Sequence, residues 1–268
     1  MQKWVSMLKN LPQDREGLNS FLMGGKDFSS FLAADYGKLE ESLRRELERN
    51  LATRKGTKFL DLLQAQTDAV IRLWAVELAN FLPAELRIPR LLAGMGDKDE
   101  EIKLLAARSL GQMKSSGVAR QLIAGLSTDR WLPARIAEAL SSMGQASLPF
   151  LAELASNPED RLRLNAVEIL EQINTPAARE IVLQLLYDAS PQVRRKAAGV
   201  LLSFSDLAYG PEALKALAQE EDLPTRLQLI RLLGKIRFEP ARAVLQSQLE
   251  SQDPKIVRAA AAALNGID

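Results

Sequence analysis

The chain of 268 residues contains no cysteine and no histidine. These two absences exclude disulfide bonds, thiolate nucleophiles, metal sites built from Cys or His, imidazole acid–base chemistry and the usual serine triads. An enzyme built from this sequence would have to work with carboxylates, Lys, Tyr, Ser, Thr or a cofactor. Aromatic residues are also scarce at 5%, whereas apolar residues reach 47% and are mostly Leu and Ala, which favours helix over sheet.

An excess of charge of one sign is missing as well. The 35 basic and 34 acidic residues leave a formal charge of +1, so no global field directs the chain towards nucleic acid or anionic lipid. No uncharged apolar run of about eighteen residues is present, and charged residues and Pro12 precede any signal-peptide core. We therefore expect a cytoplasmic protein with no transmembrane segment, cofactor or bound metal.

From about residue 57, one helical template recurs seven times at offsets of 30 to 32 residues. Its apolar positions 0, 4, 5, 8 and 11 fall within an arc of roughly 140°, the buried stripe of an amphipathic helix. A shorter apolar helix precedes each copy. The sequence therefore predicts helical hairpins of about 31 residues stacked as a right-handed α-solenoid. The copies begin at Ile71, Ile102, Leu132, Leu162, Val193, Thr225 and Ile256.

Several turns carry an acidic residue followed six positions later by a base. These pairs are Asp97/Lys103, Asp129/Arg135 and Asp188/Arg194, with Asn157/Arg163 as a softened copy. With this pattern, residues 57–268 resemble the HEAT-like repeat family in its short-repeat form, as in PBS-lyase HEAT-like repeat proteins. The resemblance implies an all-α array of about seven two-helix repeats, which serves many unrelated functions. We expect a structural ladder in which a turn acid meets the base of its own or the next unit, contributing ~0–1 kcal/mol per surface pair.

Residues 1–56 do not follow the template and are predicted to form an N-terminal helical extension. A helix around residues 4–11, a break at Pro12, an interruption at Gly24–Gly25 and a charged amphipathic helix over residues 37–52 are expected. We interpret the extension as a cap over the first repeat; a partner-docking segment or a membrane-surface helix are the alternatives. The Ala-rich last helix is predicted to lack a cap, so self-association there, or a longer array, remains open.

Template position 6 lies opposite the buried arc and is predicted to line the concave face. This row contains too few bases for a groove that neutralises six or more phosphates, which disfavours nucleic acid. Glu138 and Glu168 lie at equivalent positions in adjacent repeats, where they could act as acid and base or hold a cation, although solvated acids are the simpler interpretation. The row is Glu77, Arg108, Glu138, Glu168, Gly199, Arg231 and Ala262.

Trp131 follows Asp129 in the turn that enters the third copy. An exposed Trp131 beside this carboxylate would be similar to the site of HEAT-like alkylpurine DNA glycosylases; a tryptophan packed over the preceding helix is the simpler interpretation. We predict a non-enzymatic scaffold that binds a protein or peptide partner on its concave face. A glycosylase-type enzyme, or a lyase-like subunit active only with a second chain, are the alternatives. The predicted contacts are Glu77, Arg108, Glu138, Glu168, Arg231 and Trp131.

Overall fold

The computed structural model describes residues 2–23 and 28–267, which form helices joined by short turns and include no strand. The N-terminal part contains α1 (Gln2–Lys9), α2 (Arg15–Met23), α3 (Phe28–Ser30) and α4 (Glu41–Leu51). A π-helical turn at Phe31–Asp35 and a 3₁₀ turn at Tyr36–Lys38 connect the last two. The predicted interruption at Gly24–Gly25 lies outside the described residues.

Beyond α4 the helices alternate between the first and second members of seven hairpins. The first helices are α5 (Arg54–Gln64), α7 (Ala84–Gly94), α9 (Ser116–Ser127), α11 (Leu148–Leu154), α13 (Pro176–Gln184), α15 (Gly210–Gln219) and α17 (Arg242–Ser247). The second helices, which carry the template, are α6 (Ala69–Ala79), α8 (Glu100–Gln112), α10 (Pro133–Met143), α12 (Asp160–Ile173), α14 (Pro191–Phe204), α16 (Leu223–Lys235) and α18 (Pro254–Ile267). The predicted all-α repeat architecture is confirmed.

The periodic apolar positions form the core. Positions 0, 4, 5 and 8 are buried in the second, fourth, fifth and sixth copies of the template. Small residues at positions 4 and 5, such as Ala106 and Ala197, are fully buried and allow neighbouring helices to approach. The third copy departs from the pattern, because Leu132 at position 0 is 47% exposed.

The chain divides into two compact units. The first comprises residues 1–114 and 129–139, and the second comprises residues 115–128 and 140–268. Helix α10 contributes residues to both.

In the first unit, aromatic side chains of the N-terminal extension pack onto the first hairpin. The ring centroids of Phe28 and Trp74 are 5.0 Å apart, and those of Tyr36 and Phe81 are 4.2 Å apart. Aromatic pairs of this kind contribute ~0.5–1.5 kcal/mol beyond the area they bury. These contacts support the interpretation of residues 1–56 as a cap, which stays a prediction.

In the second unit, α16 and α18 approach so closely that one interface position requires glycine. A Cβ atom added to Gly234 of α16 would clash with the Cα and Cβ atoms of Ala263 in α18. Gly199 of α14 is different, since the nearest atom to an added Cβ lies 4.0 Å away, at the end of the Gln228 side chain.

We therefore expect opposite effects of alanine at these two glycines. Gly234→Ala must push α16 and α18 apart and should lower the stability by about 1–3 kcal/mol. Gly199→Ala clashes with no neighbouring atom and restricts only the unfolded chain, so it should raise the stability by ~0.5–1 kcal/mol. Thermal unfolding followed by circular dichroism measures both, and shifts of the same sign would contradict the packing described.

Candidate functional site

Three arginine residues at the starts of second helices connect consecutive turns. Each guanidinium donates two parallel hydrogen bonds of 2.7–2.9 Å to a carboxylate of the following turn. Its remaining nitrogen donates to two backbone carbonyls of its own turn, five and six residues earlier. This geometry requires the planar fork of arginine. The three pairs, here called the ladder rungs, are Arg72–Asp97, Arg163–Asp188 and Arg194–Glu220.

The rungs are largely buried and their carboxylates stay ionised. The Glu220 side chain is 2% exposed, and that of Arg194 is 19% exposed. Burial alone raises the pKa of Glu220, but the Arg194 guanidinium and the N–H of Asp222 outweigh it and hold this pKa below its usual value. At Asp97 the Arg72 guanidinium is the largest influence, and it lowers the pKa. Charged, fully bonded carboxylates of this kind have a structural role.

The structure corrects the predicted partners, because a turn acid meets the base of the preceding unit and not that of its own or the next unit. The Asp97 carboxylate binds Arg72 of the preceding unit, whereas Lys103 pairs with Glu100 at 2.6 Å. The ammonium group of lysine has no fork with which to span two turns. Arg194 reaches Asp188 only through the backbone carbonyl of that residue, at 2.8 Å.

The third predicted pair is also rearranged. Nε of Arg135 lies 4.0 Å from a carboxylate oxygen of Glu100 and makes no hydrogen bond. Asp129 adopts a left-handed backbone conformation, with φ of 50°, in the turn before α10. The spacing of six residues therefore marks the turns but does not identify the partners.

Trp131 is part of the core, in agreement with the simpler of the two sequence interpretations, which corrects its prediction as a partner contact. Its side chain is 7% exposed, and its Nε1 donates a 3.1 Å hydrogen bond to the carbonyl oxygen of Leu92. The guanidinium of Arg130 lies 4.7 Å from the ring centroid. Because α10 begins only at Pro133, Trp131 takes the buried place that the template assigns to Leu132. A ring held in this way does not stack on a nucleotide.

In the first unit, two successive positions of the predicted row, Arg108 and Glu138, contact each other. Nε of Arg108 donates to a carboxylate oxygen of Glu138 at 2.9 Å, and their side chains are 57% and 33% exposed. Glu77 is half-buried and one of its oxygens has no hydrogen-bond partner. Its burial, together with the nearby carboxylate of Glu101, raises its pKa.

In the second unit, the row lines two grooves between successive second helices. Glu168 and Gly199 line the groove across α12 and α14, here called the mixed groove, with a volume of about 530 Å³. Arg231 and Ala262 line the groove between α16 and α18, here called the basic groove, also of about 530 Å³. Position 6 of the template thus identifies groove-lining residues in four consecutive repeats.

The carboxylates do not gather into a metal site. Among residues 2–23 and 28–267, no group of three acidic residues could hold an ion, and Glu138 is paired with Arg108. The same part of the chain has no helix with the length and apolar content needed to cross a bilayer.

Sequence reasoning missed the true rung partners and the basic groove. The rungs have a readable signal, since arginine occupies template position 1 in the first, fourth and fifth copies and an acid follows 25 or 26 residues later. The basic groove combines position 6 with Lys235 at position 10 and with Lys255, which precedes the template in its repeat. Because the sequence analysis counted charges only along position 6, it did not bring these cations together.

Stacked two-helix hairpins define the chain as a helical-repeat protein. The family described as HEAT repeats matches residues 119–203, so the resemblance to HEAT-like repeats recognised from the sequence is confirmed. No curated protein sequence matches the chain.

Solved structures of several helical proteins are similar to the chain. Human deoxyhypusine hydroxylase in complex with glycerol is 16% identical, with 91% of this chain and 99% of that chain covered and a TM-score of 0.40. An engineered protein is 18% identical, with 98% and 83% covered and a TM-score of 0.42. The Escherichia coli protein YibA is 16% identical, with 90% and 97% covered and a TM-score of 0.39. None of these similarities assigns an activity to this chain.

The rungs predict a specific effect of removing one charge. Glu220→Gln leaves the buried Arg194 without its counter-charge and should cost roughly 3 kcal/mol at pH 7. Since the folded-state pKa of Glu220 is lowered, the rung contributes fully above the usual carboxyl pKa, and its contribution is lost as the pH falls below about 4. Thermal unfolding from pH 7 to pH 3 should show the wild type approaching the variant at the acidic end.

The neighbouring residue provides the matched control for this variant. Glu221 is exposed, so Glu221→Gln removes the same charge and should change the stability by less than about 0.5 kcal/mol. Equal losses for the two variants would refute the structural role of the Arg194–Glu220 rung.

The burial of Trp131 predicts a loss of stability from a conservative change. Trp131→Phe removes the N–H donor and leaves the Leu92 carbonyl unpaired, which should cost about 1–3 kcal/mol. Leu132→Ala, at the exposed neighbour, should cost less than about 0.5 kcal/mol. A larger loss of stability for Leu132→Ala than for Trp131→Phe in thermal unfolding would indicate that Leu132 is the buried residue, and would contradict the structure.

Proposed function

We propose that this chain is a HEAT-like repeat protein that binds a protein or peptide partner along the face formed by its second helices. This is the face that the sequence predicts to be concave. The proposed contacts on it are Glu77, Arg108, Glu138, Glu168 and Arg231. We assign no catalytic residue to it.

One observation carries the proposal. Glu168 and Arg231, at the same template position in different repeats, line the two grooves of the second unit. Grooves of this volume accept individual side chains of a partner, and a preformed surface lowers the entropic cost of binding.

The charges of this face favour a partner of mixed chemistry. In the mixed groove, the ammonium group of Lys196 lies 3.0 Å from the Glu171 carboxylate. Arg108 and Glu138 form a partly exposed pair that a partner's own charges can replace. Interfaces between proteins use such alternating charges for orientation and specificity more than for affinity.

Nucleic acid is a poorer fit to the same face. In the mixed groove the acidic residues Glu168 and Glu171 balance two cations, Arg195 and Lys196, so the groove offers no net positive charge to a phosphate backbone. The burial of Trp131 also removes the aromatic residue on which the glycosylase alternative rested.

Three further expectations belong to this proposal. Residues 1–56 act as a cap, the protein acts in the cytoplasm, and the face of α18 turned away from α16 is available for self-association. Along that face, Ala261 is exposed and Leu264 is half-exposed.

A charge exchange along the face tests the proposal. Arg108→Glu combined with Glu168→Arg reverses two contacts while keeping the net charge. Lys58→Glu combined with Glu153→Arg makes the same exchange at exposed positions of the first helices α5 and α11. We expect proteins captured from a nuclease-treated extract by the immobilised wild type to be retained by the second variant and lost with the first.

Circular dichroism melts of both variants establish that the fold is kept. Equal capture by the two variants, recovery of nucleic acid alone from untreated extract, or turnover of a small molecule by the pure protein would contradict the proposal.

A further inference from the structure

The basic groove between α16 and α18 has an apolar floor made of small residues. Gly234 faces Ala263 without room for a Cβ atom, and a Cβ atom on Gly266 would lie 3.1 Å from the Gly234 carbonyl oxygen. Ala259 and Ala262 extend this floor. Because the two helices approach so closely, the groove is shallow and its floor presents mainly aliphatic surface.

Four exposed cationic side chains surround this floor. Arg231 and Lys235 extend from α16, and Lys255 and Arg258 extend from α18. None of the described residues that line the groove is acidic. The spacing is four residues on one helix and three on the other, so like charges neighbour each other on each helix, which is unfavourable.

This positive charge is not neutralised within the described residues of the chain. Arg231, Lys255 and Arg258 make no ion pair or side-chain hydrogen bond there, and the Lys235 ammonium group donates only to the Leu202 carbonyl oxygen, at 3.2 Å. Elsewhere, bases are commonly paired, as in the ladder rungs. The chain as a whole has nearly equal numbers of acidic and basic residues, so four unneutralised cations in one groove depart from this overall balance.

We infer that the basic groove binds a short acidic segment of the partner protein, an inference that rests on the proposed function and names the partner's chemistry. Carboxylates of the segment pair with the four cations, and Arg231 and Arg258 can each bind one in the bidentate manner. An aliphatic side chain between the carboxylates packs on the floor of Ala259 and Ala262. The segment therefore alternates acidic and aliphatic residues.

A peptide fits these features better than a polynucleotide. Among the described residues, the lining of the groove includes no aromatic side chain on which bases could stack. The basic cluster spans a single helix pair. In the neighbouring mixed groove, Glu168 and Glu171 cancel the charges of Arg195 and Lys196, so no net positive charge continues there. A short run of carboxylates needs only the four cations that are present.

A labelled peptide tests the inference directly. The probe is a fluorescein-labelled octapeptide in which pairs of glutamate alternate with leucine, titrated with the full chain by fluorescence anisotropy. We expect binding that weakens with added salt, because the cations are exposed and therefore screened. Arg231→Glu combined with Arg258→Glu should weaken this binding at least tenfold.

A matched variant separates the groove from net charge. Arg54→Glu combined with Lys58→Glu changes the charge by the same amount at exposed positions of α5 and should leave the affinity unchanged. The inference is overturned by failure of the wild type to bind at low salt, by equal weakening in the two variants, or by tighter binding of a lysine-for-glutamate peptide. Tighter binding of a single-stranded oligonucleotide of the same charge overturns it in favour of a polynucleotide.

This experiment can fail separately from the proposed function. If the octapeptide does not bind but the capture of proteins still depends on Arg108 and Glu168, only the inference of an acidic segment is refuted. If the octapeptide binds at the basic groove but no protein depends on Arg108 and Glu168, the inference stands and the wider contact row falls.

Discussion

Stacking of amphipathic second helices is the constraint on which the rest of the structure depends. A hairpin of about thirty residues cannot bury its apolar face alone, so each repeat is stable only against its neighbours. This requirement assigns template positions 0, 4, 5 and 8 to the core. It also explains the glycine at position 234, where the closest helix pair of the second unit leaves no room for a side chain.

The ladder rungs add a second constraint at the turns. Burying an ion pair is costly, and it succeeds here because each guanidinium and each carboxylate is bonded on several sides. Arg163, for example, joins the Asp188 carboxylate to two carbonyls of its own turn. One side chain thereby fixes two consecutive turns, which sets how one repeat follows the next.

The fold could be predicted from the sequence because helical periodicity is a local property. All seven second helices lie where the template predicts them. The partners of the turn residues could not be predicted, because periodicity gives the angle of a side chain on its own helix and not the turn that it reaches. The template also failed to predict that Trp131 is buried in place of Leu132. Because α10 begins at Pro133, the two residues before it are not helical and do not follow the helical spacing.

The candidate site was predictable only in part. In the fourth to seventh copies, position 6 marks residues that line grooves. The sum of charges along the whole row set Glu168 against Arg231, so it did not reveal the basic groove. Its four cations come from positions 2, 6 and 10 of the template and from the residue before it, and they meet only because α16 and α18 are adjacent.

Arginine in this chain has two roles that the local environment separates. In the ladder rungs, at position 1 of the first, fourth and fifth copies, it is largely buried, bound on several sides and committed to stacking, so its replacement would affect the fold. At position 6, Arg108 and Arg231 are exposed and the core does not require them. Position 6 is therefore free to change from acid to base to glycine between repeats without loss of the helical stripe. Because stacking and contact chemistry use different positions, charge along this face can vary while the array stays intact, so specificity can reside in side chains that the fold leaves unconstrained.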